Sequence, residues 1–380
     1  MKFEDYYSFE PGPLLWILAA FALGWLIQLG IYLFRYLPLA LKKSTEPLED
    51  WPAVSVVICA RNEEENLQEH LPQILSQDYP DFEVVVVNDC SWDNTHDLLE
   101  DMKKRFSKLR VAEIREVENR EHGKKFALTM GIKKASNEIL LLTDADCVPL
   151  SDQWIRNMVK MYRNEKYLVL GYGKYMAEPG FVNQLIRFDT FQIGLNYLGM
   201  ALQGNPYMGV GRNLSYHKAL FFAVKGFASH MHIASGDDDL FVSEVAKSNN
   251  TAVMIESESV TVSKAPPTWS AWMKQKKRHQ STGKYYRAKH KFLLLLEPLS
   301  YYFMFIAAVA SIVIQYNLLI ILSALFLRAC YQIGILHSIA KKLSEKDMGW
   351  KFPLLEIIHK FILLPIFAFY TLFVKKPKWS

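Results

Sequence analysis

The chain has 380 residues, 51% hydrophobic and only 22% charged, with 44 Lys and Arg against 39 Asp and Glu for a net charge of +5. That apolar content excludes intrinsic disorder, four Cys in so long a chain exclude a small disulfide scaffold, and so thin a positive excess argues against a nucleic-acid binder. A mean hydropathy of +0.02 is high for a soluble enzyme and predicts greasy segments attached to a water-soluble domain.

The first greasy segment is Leu14 to Phe34, LLWILAAFALGWLIQLGIYLF, with Gln28 as its one strongly polar residue. As a helix it spans about 31 Å, one hydrocarbon core. A cleaved signal peptide fits poorly: the run is too long, acid precedes it (Glu4, Asp5, Glu10) and no small-residue cleavage site follows. Arg35, Lys42 and Lys43 come directly after it, so the positive-inside rule places residues 1–13 outside and the next domain in the cytosol of a plasma (inner) membrane protein.

Residues 51–291 have ordinary soluble composition and alternate strand with helix. Strands are predicted at Ala53–Ala60, Phe82–Val87, Leu109–Glu113, Ile139–Thr143 and Tyr167–Gly171. Between them helices are predicted at Glu63–Gln77, Asn94–Arg105, Lys124–Lys134 and Asp152–Arg163. Such alternation builds a doubly wound α/β sheet, in which ligands bind beyond the carboxyl ends of the strands. Cys59, Cys90 and Cys147 show no metal-like spacing and read as reduced thiols.

In the C-terminal membrane region, residues 292–380, the runs Leu299–Ile314 and Leu318–Ile339 flank Gln315-Tyr316-Asn317 as a helical hairpin. A third run, Leu354–Val374, carries Glu356, His359, Lys360 and Pro365 and ends in Lys375, Lys376 and Lys378. It reads as a third span or as a re-entrant or interfacial helix, giving two or three membrane helices here.

Two strand ends concentrate carboxylates. Asn88-Asp89-Cys90-Ser91-Trp92-Asp93 follows the second strand, and Asp144-Ala145-Asp146 follows the fourth. Asp at i and i+2 after an apolar strand can present oxygens to one hard divalent cation, although Asp also populates turns and helix caps.

In order along the chain come SVVICARNEEENL (Ser55–Leu67), VVVVNDCSWDNT (Val84–Thr95), HGKKFAL (His122–Leu128), LLLTDADC (Leu140–Cys147) and SGDDDLF (Ser235–Phe241). With these five segments the chain resembles membrane-bound inverting glycosyltransferases of family 2, of the superfamily that holds cellulose synthase, hyaluronan synthase and ceramide glucosyltransferase. The resemblance implies a GT-A (Rossmann-like) nucleotide-sugar domain flanked by transmembrane helices. It implies a nucleotide-sugar donor, UDP-linked, and a lipid-linked or surface-glycan acceptor.

The roles it implies fall on particular residues. Asp89 would accept hydrogen bonds from the base, and Asp93 would assist or only cap its helix. Lys124 offers a cation near the nucleotide. Asp146 would bind the metal directly while Asp144, also a candidate ligand, faces the ribose or sugar. Carboxylate and phosphate oxygens suit Mg²⁺ or Mn²⁺, whereas zinc would prefer Cys or His. In Asp237-Asp238-Asp239, crowded like charges raise at least one pKa, which suits a general base. Asp238 is the expected base, with Asp237 beside it, although three Asp in a row let the alignment slip by one. Gln275 and Arg278, in Gln275-Lys276-Lys277-Arg278-His279, resemble the family's QxxRW segment for diphosphate and acceptor, with His279 in place of the Trp. Eight Lys and Arg between Lys274 and Lys291 also read as a polybasic collar on anionic headgroups. Gly209 to Asn213 resembles a glycine-marked loop along the sugar site. A rival reading is a glycosyltransferase-like membrane scaffold that binds nucleotide without turnover.

Overall fold

The structure, a computed structural model, describes residues 12–115 and 123–373. Residues 1–11, His122, Val374 and the lysines 375, 376 and 378 lie outside the described residues, and with them most of the expected external segment and the basic tail. The chain divides into two compact units.

The unit that holds residues 43–286 is built on a seven-stranded sheet. Its strands are β1 (Val54–Ala60), β2 (Phe82–Asp89), β3 (Leu109–Ile114), β4 (Ile139–Leu142), β6 (Leu168–Leu170), β8 (Leu214–His217) and β9 (Thr251–Val253), in the order β3-β2-β1-β4-β8-β6-β9. β5 (Cys147–Pro149), β7 (Gly173–Tyr175) and β10 (Thr261–Ser263) form a second sheet, ordered β5-β10-β7. β1 to β4 are parallel; β1, β2 and β4 are near-continuous apolar runs buried on both faces, while the edge strand β3 exposes Arg110 and Glu113. Beyond β4 the expected order changes. β8 inserts antiparallel between β4 and β6, so the fifth predicted strand is not β4's neighbour. β8 reads only Leu-Ser-Tyr-His, and its polar residues hide the strand from a hydropathy reading. The Ser215 hydroxyl is satisfied internally, 2.7 Å from both Leu140 O and the Tyr162 hydroxyl.

Helices Glu64–Leu75 and Trp154–Val159 bury Leu67, Leu71, Ile74, Trp154 and Met158 against the sheet. The helix Phe181–Leu202 has no amphipathic signature because it is buried almost all round, polar Arg187 and Asp189 included. Gly131 lets the helix Lys124–Lys134 lie tight on the sheet: a Cβ there would stand 2.7 Å from Val57 and 2.8 Å from Val87. That close approach fixes where Lys124 enters the site.

The second unit gathers residues 12–42, 287–341 and 345–365. Among the described residues four helices are long and apolar enough to cross a membrane: Leu14–Leu41, Ala288–Val313, Leu318–Lys342 and Met348–Phe373. Each of three expected runs is longer than its apolar letters. The first continues past Phe34 because Arg35 is buried, donating to Leu293 O at 3.2 Å. The second starts at Ala288, since Glu297, which interrupts the apolar letters, pairs with buried Lys360 at 2.6 Å. The last starts at Met348, and its Glu356 is neutralised by Arg328 at 2.9 Å. Around that pair Gln332 donates to Glu356 and to the Tyr32 hydroxyl at 2.8 and 2.7 Å, and Arg328 donates to Gln28 at 3.2 Å. Buried charge in an apolar unit is tolerable only when paired in this way. The hairpin turns on Gln315 and Asn317, both at positive φ.

Two of the four helices carry a π-helical turn, Tyr32–Tyr36 and His359–Leu363. Each ends two residues before a proline, Pro38 and Pro365. The wider turn relieves the contact between the proline ring and the carbonyl four residues back.

Candidate active site

The loops after β1 and β2 are laced together. Asn62, at φ +56°, donates its N–H to Ser91 Oγ at 2.9 Å and accepts from the Trp92 N–H through Oδ1 at 2.9 Å. Asp93 accepts from Thr95 N–H at 3.0 Å and Glu64 N–H at 3.2 Å, serving the starts of two helices at once. Burial alone would raise its pKa, but these hydrogen bonds hold it below the usual carboxylate range. Asp93 thus braces both helix starts. Asp89, the last residue of β2, is different. It is buried, and its Oδ1 has no hydrogen-bond partner among the described residues. A buried orphan oxygen costs free energy until a donor arrives.

Lys124 and Lys125, at the start of one helix, go opposite ways. Lys124 Nζ stands 2.6 Å from Asp144 Oδ1 and 3.3 Å from Asp237 Oδ2. Burial opposes its charge, but Asp144 and Asp237 outweigh that and hold its pKa well above the usual lysine value. Buried Lys125 donates to the carbonyls of His230 and Ile233 at 2.6 and 2.8 Å, anchoring the loop that leads into the acidic run. Sequence reasoning passed over Lys125, which no spacing distinguishes from its neighbour.

Asp144, Asp146 and Cys147 bring their ligand atoms within 4.8 Å of one another. The Asp pair is where the sequence puts it, but Cys147, read there as an isolated thiol, lies in the same cluster. Its Sγ donates to Asp146 Oδ1 at 3.4 Å, and burial, with the Asp146 and Asp144 charges, pushes the thiol well up. For a hard divalent cation the matching donors in this cluster are the carboxylate oxygens of Asp144 and Asp146. Buried His70 supports the motif from behind, Nδ1 3.3 Å from Ala145 O.

The acidic run follows Gly236, at φ +102°, and its carboxylates point to three different elements. Asp237 faces Lys124. Asp238 Oδ2 accepts the Gly211 N–H at 2.8 Å, and its Oδ1 caps the following helix through the Asp239 N–H at 2.7 Å. Asp239 Oδ2 accepts from the hydroxyls of Thr282 and, at 2.7 Å, Tyr286. Burial raises all three pKa values. For Asp237 the Lys124 charge wins and the net shift is downward. For Asp238, burial with Asp237 and Asp239 wins over Lys124 and the Gly211 N–H, and its pKa is pushed up to about 7.

Gly211 opens onto Arg212, a second residue left out of the expected site although its loop was singled out. Its guanidinium stacks on the Tyr175 ring at 4.5 Å, and its charge acts on Asp146. A Cβ on Gly173 would strike that side chain at 2.6 Å. The Tyr175 hydroxyl donates to Gln275 Oε1 at 3.1 Å, tying the helix Trp269–Gln280 to the small sheet. Arg278 is exposed on that helix. The polybasic collar needs correction, because Lys276 and Lys277 are buried. Lys276 pairs with Asp189 at 2.7 Å, so its charge is spent inside the domain.

Residues 55–222 match the family model Glycosyl transferase family 2. Over that stretch the chain resembles a glycosyltransferase family 2 domain. Glycosyltransferase AglE of Haloferax volcanii is 30% identical over 142 residues, covering 37% of this chain and 45% of its own. Probable glycosyltransferase YdaM of Bacillus subtilis is 24% identical over 283 residues, covering 72% and 64%. The chain therefore spans about half to just under two thirds of the length of these curated relatives. Among solved structures, the mannosyltransferase PcManGT from Pyrobaculum calidifontis, in complex with GDP-Man and Mn²⁺, superposes with a TM-score of 0.55 at 20% identity, covering 88% of this chain and 98% of that one. That likeness shows the fold alone, GT-A.

Proposed function

We propose that the protein is an inverting glycosyltransferase that moves a sugar from a nucleoside diphosphate, UDP in the simplest reading, to a lipid-linked or surface-glycan acceptor at the membrane. One observation supports this: Lys124, Asp144, Asp237 and Asp238 converge beyond the strand ends of the sheet, and burial with its two acidic neighbours pushes the Asp238 pKa up to about 7. Asp89, with its unpartnered oxygen, would receive a base N–H. Asp146 and Asp144 would hold Mg²⁺ or Mn²⁺, the ion that the all-oxygen donor set favours. Bound there, a divalent cation supplies Lewis-acid charge neutralisation of the diphosphate.

Asp238 would take the proton of the acceptor hydroxyl as that oxygen bonds to the anomeric carbon. The bond to the diphosphate breaks, and its electron pair leaves with the phosphate. One displacement with no covalent sugar–enzyme intermediate inverts the anomeric centre. Lys124 and Arg212 would supply cations to the departing charge, and Gln275 and Arg278 would serve the diphosphate and acceptor end. The catalytic domain faces the cytosol of a plasma (inner) membrane, where nucleotide sugars are made, by the charge asymmetry about the first helix. Both parts are testable. Detergent-purified protein incubated with a panel of labelled nucleotide sugars and extracted lipids should release nucleoside diphosphate and yield one labelled product. No transfer from any donor overturns the activity. A cysteine at Ser8 should be labelled from outside and one at Ser107 only after permeabilisation; the reverse overturns the orientation.

A further inference from the structure

We infer that Asp239, the third carboxylate of the acidic run, is a positioning residue that holds the segment Gln275–Tyr286 in register with the base Asp238; this rests on the transferase reading above. The geometry is a closed circuit of contacts. Asp239 is buried, and neither of its oxygens is idle: Oδ1 accepts the Leu240 N–H at 2.7 Å, and Oδ2 accepts from Thr282 and Tyr286. The Thr282 hydroxyl also lies 2.7 Å from His279 O, so its single proton is shared between Asp239 and the last turn of the helix that carries Gln275 and Arg278. The Tyr286 ring packs edge-on against buried Tyr207 at 5.5 Å, with its hydroxyl 3.8 Å from Met208 Sδ. Tyr207 and Met208 lead through Gly209 to Gly211, whose N–H returns the circuit to Asp238.

Each piece has an evident weakness alone. Residues 281–286, Ser-Thr-Gly-Lys-Tyr-Tyr, have few apolar letters to bury, and Gly283 has open space around it. Burying a carboxylate is costly unless its lone pairs are filled, and two side-chain hydroxyls from one short segment fill them here. Asp189, paired with Lys276, holds the same helix from the other side. The segment assigned to the diphosphate and acceptor is therefore placed by buried polar contacts, one of which is adjacent in sequence to the base. A base and an acceptor hydroxyl must meet within hydrogen-bond reach, and misplacement of about 1 Å can cost about 10²-fold in rate.

The test uses the full chain in detergent with Asp239→Asn, Tyr286→Phe and Thr282→Val. The expected result is a fall in kcat of roughly 10-fold or more in each folded variant, with KM for the donor and affinity for nucleoside diphosphate within about twofold of wild type. Amide exchange should accelerate over residues 274–286 and not over 124–134. Should Asp239→Asn misfold, the two hydroxyl deletions decide alone. Wild-type kcat in folded Tyr286→Phe and Thr282→Val, or a donor KM that rises in step with a falling kcat, overturns the positioning role. If the wild-type protein transfers no sugar, the activity reading fails instead, and the exchange pattern still decides whether Asp239 holds the segment.

Discussion

Gly211 donates its backbone N–H to Oδ2 of Asp238 at 2.8 Å, joining the glycine-marked loop to the acidic run. A hydrogen bond of this kind stabilises the ionised carboxylate, yet burial and two flanking carboxylates outweigh it, leaving a pKa of about 7. Activity limited by this base falls as pH drops below about 7, because the protonated acid cannot accept the acceptor's proton. Asp238→Asn should lower transfer by about 10²–10⁴-fold and abolish that acid limb, with nucleoside diphosphate affinity near wild type. Asp237→Asn and Asp239→Asn should each be milder. A pH–rate series on the four proteins decides, and retention of activity in Asp238→Asn with loss in a neighbour moves the base by one residue.

Lys124 tunes the same group. Its charge lowers the Asp238 pKa, so Lys124→Met should move the acid limb of kcat to higher pH, the direction set by removing a cation from a carboxylate. Diphosphate affinity should fall as well. An unmoved limb places Lys124 outside the field of the base.

Metal use is read on binding as well as on turnover. Chelation should stop transfer, with Mn²⁺ or Mg²⁺ restoring it, and Mn²⁺ titrated into the chelated protein should give a paramagnetic binding signal that Asp146→Asn weakens. Full activity after thorough chelation refutes the metal assignment.

The Arg328–Glu356 pair is fully enclosed, so breaking one side leaves a buried uncompensated charge. Glu356→Gln should cost about 3–5 kcal/mol in chemical denaturation, while Arg328→Met combined with Glu356→Leu should recover most of it. If the single variant is as stable as wild type, the pair adds nothing to the helix unit.

Much of this site is legible in the chain itself, for particular reasons. Asp89, Asp144 and Asp146 announce themselves because they stand at or just after the ends of largely apolar strands, where a parallel sheet leaves its ligand face. Lys124 follows a glycine in the third family segment. Arg212, Lys125 and Asp239 were harder: their parts depend on which of several adjacent polar residues points inward, and that is decided by contacts far away in sequence. β8 and the helix Phe181–Leu202 were missed for the converse reason. One is a four-residue strand whose Ser, Tyr and His break any apolar run, and the other is buried on nearly every side, so neither shows a periodic contrast. Glu297, Glu356 and Lys360 made the last helices look doubtful, since a sequence does not display which charges will neutralise one another.

The two π turns have a bearing on how the greasy helices can change in length. Each such turn accommodates one residue more than α-helical winding would use. Removing exposed Leu33 or Phe34 would let that turn tighten to ordinary winding while the faces above and below it kept their own directions, with Pro38 then crowding a carbonyl. The same loss anywhere in Leu15–Ile27 would swing the face N-terminal to it by about 100° relative to Gln28 and Arg328. Single-codon losses are thus better tolerated at Tyr32–Tyr36 and His359–Leu363 than elsewhere along these helices, where they scramble the seam.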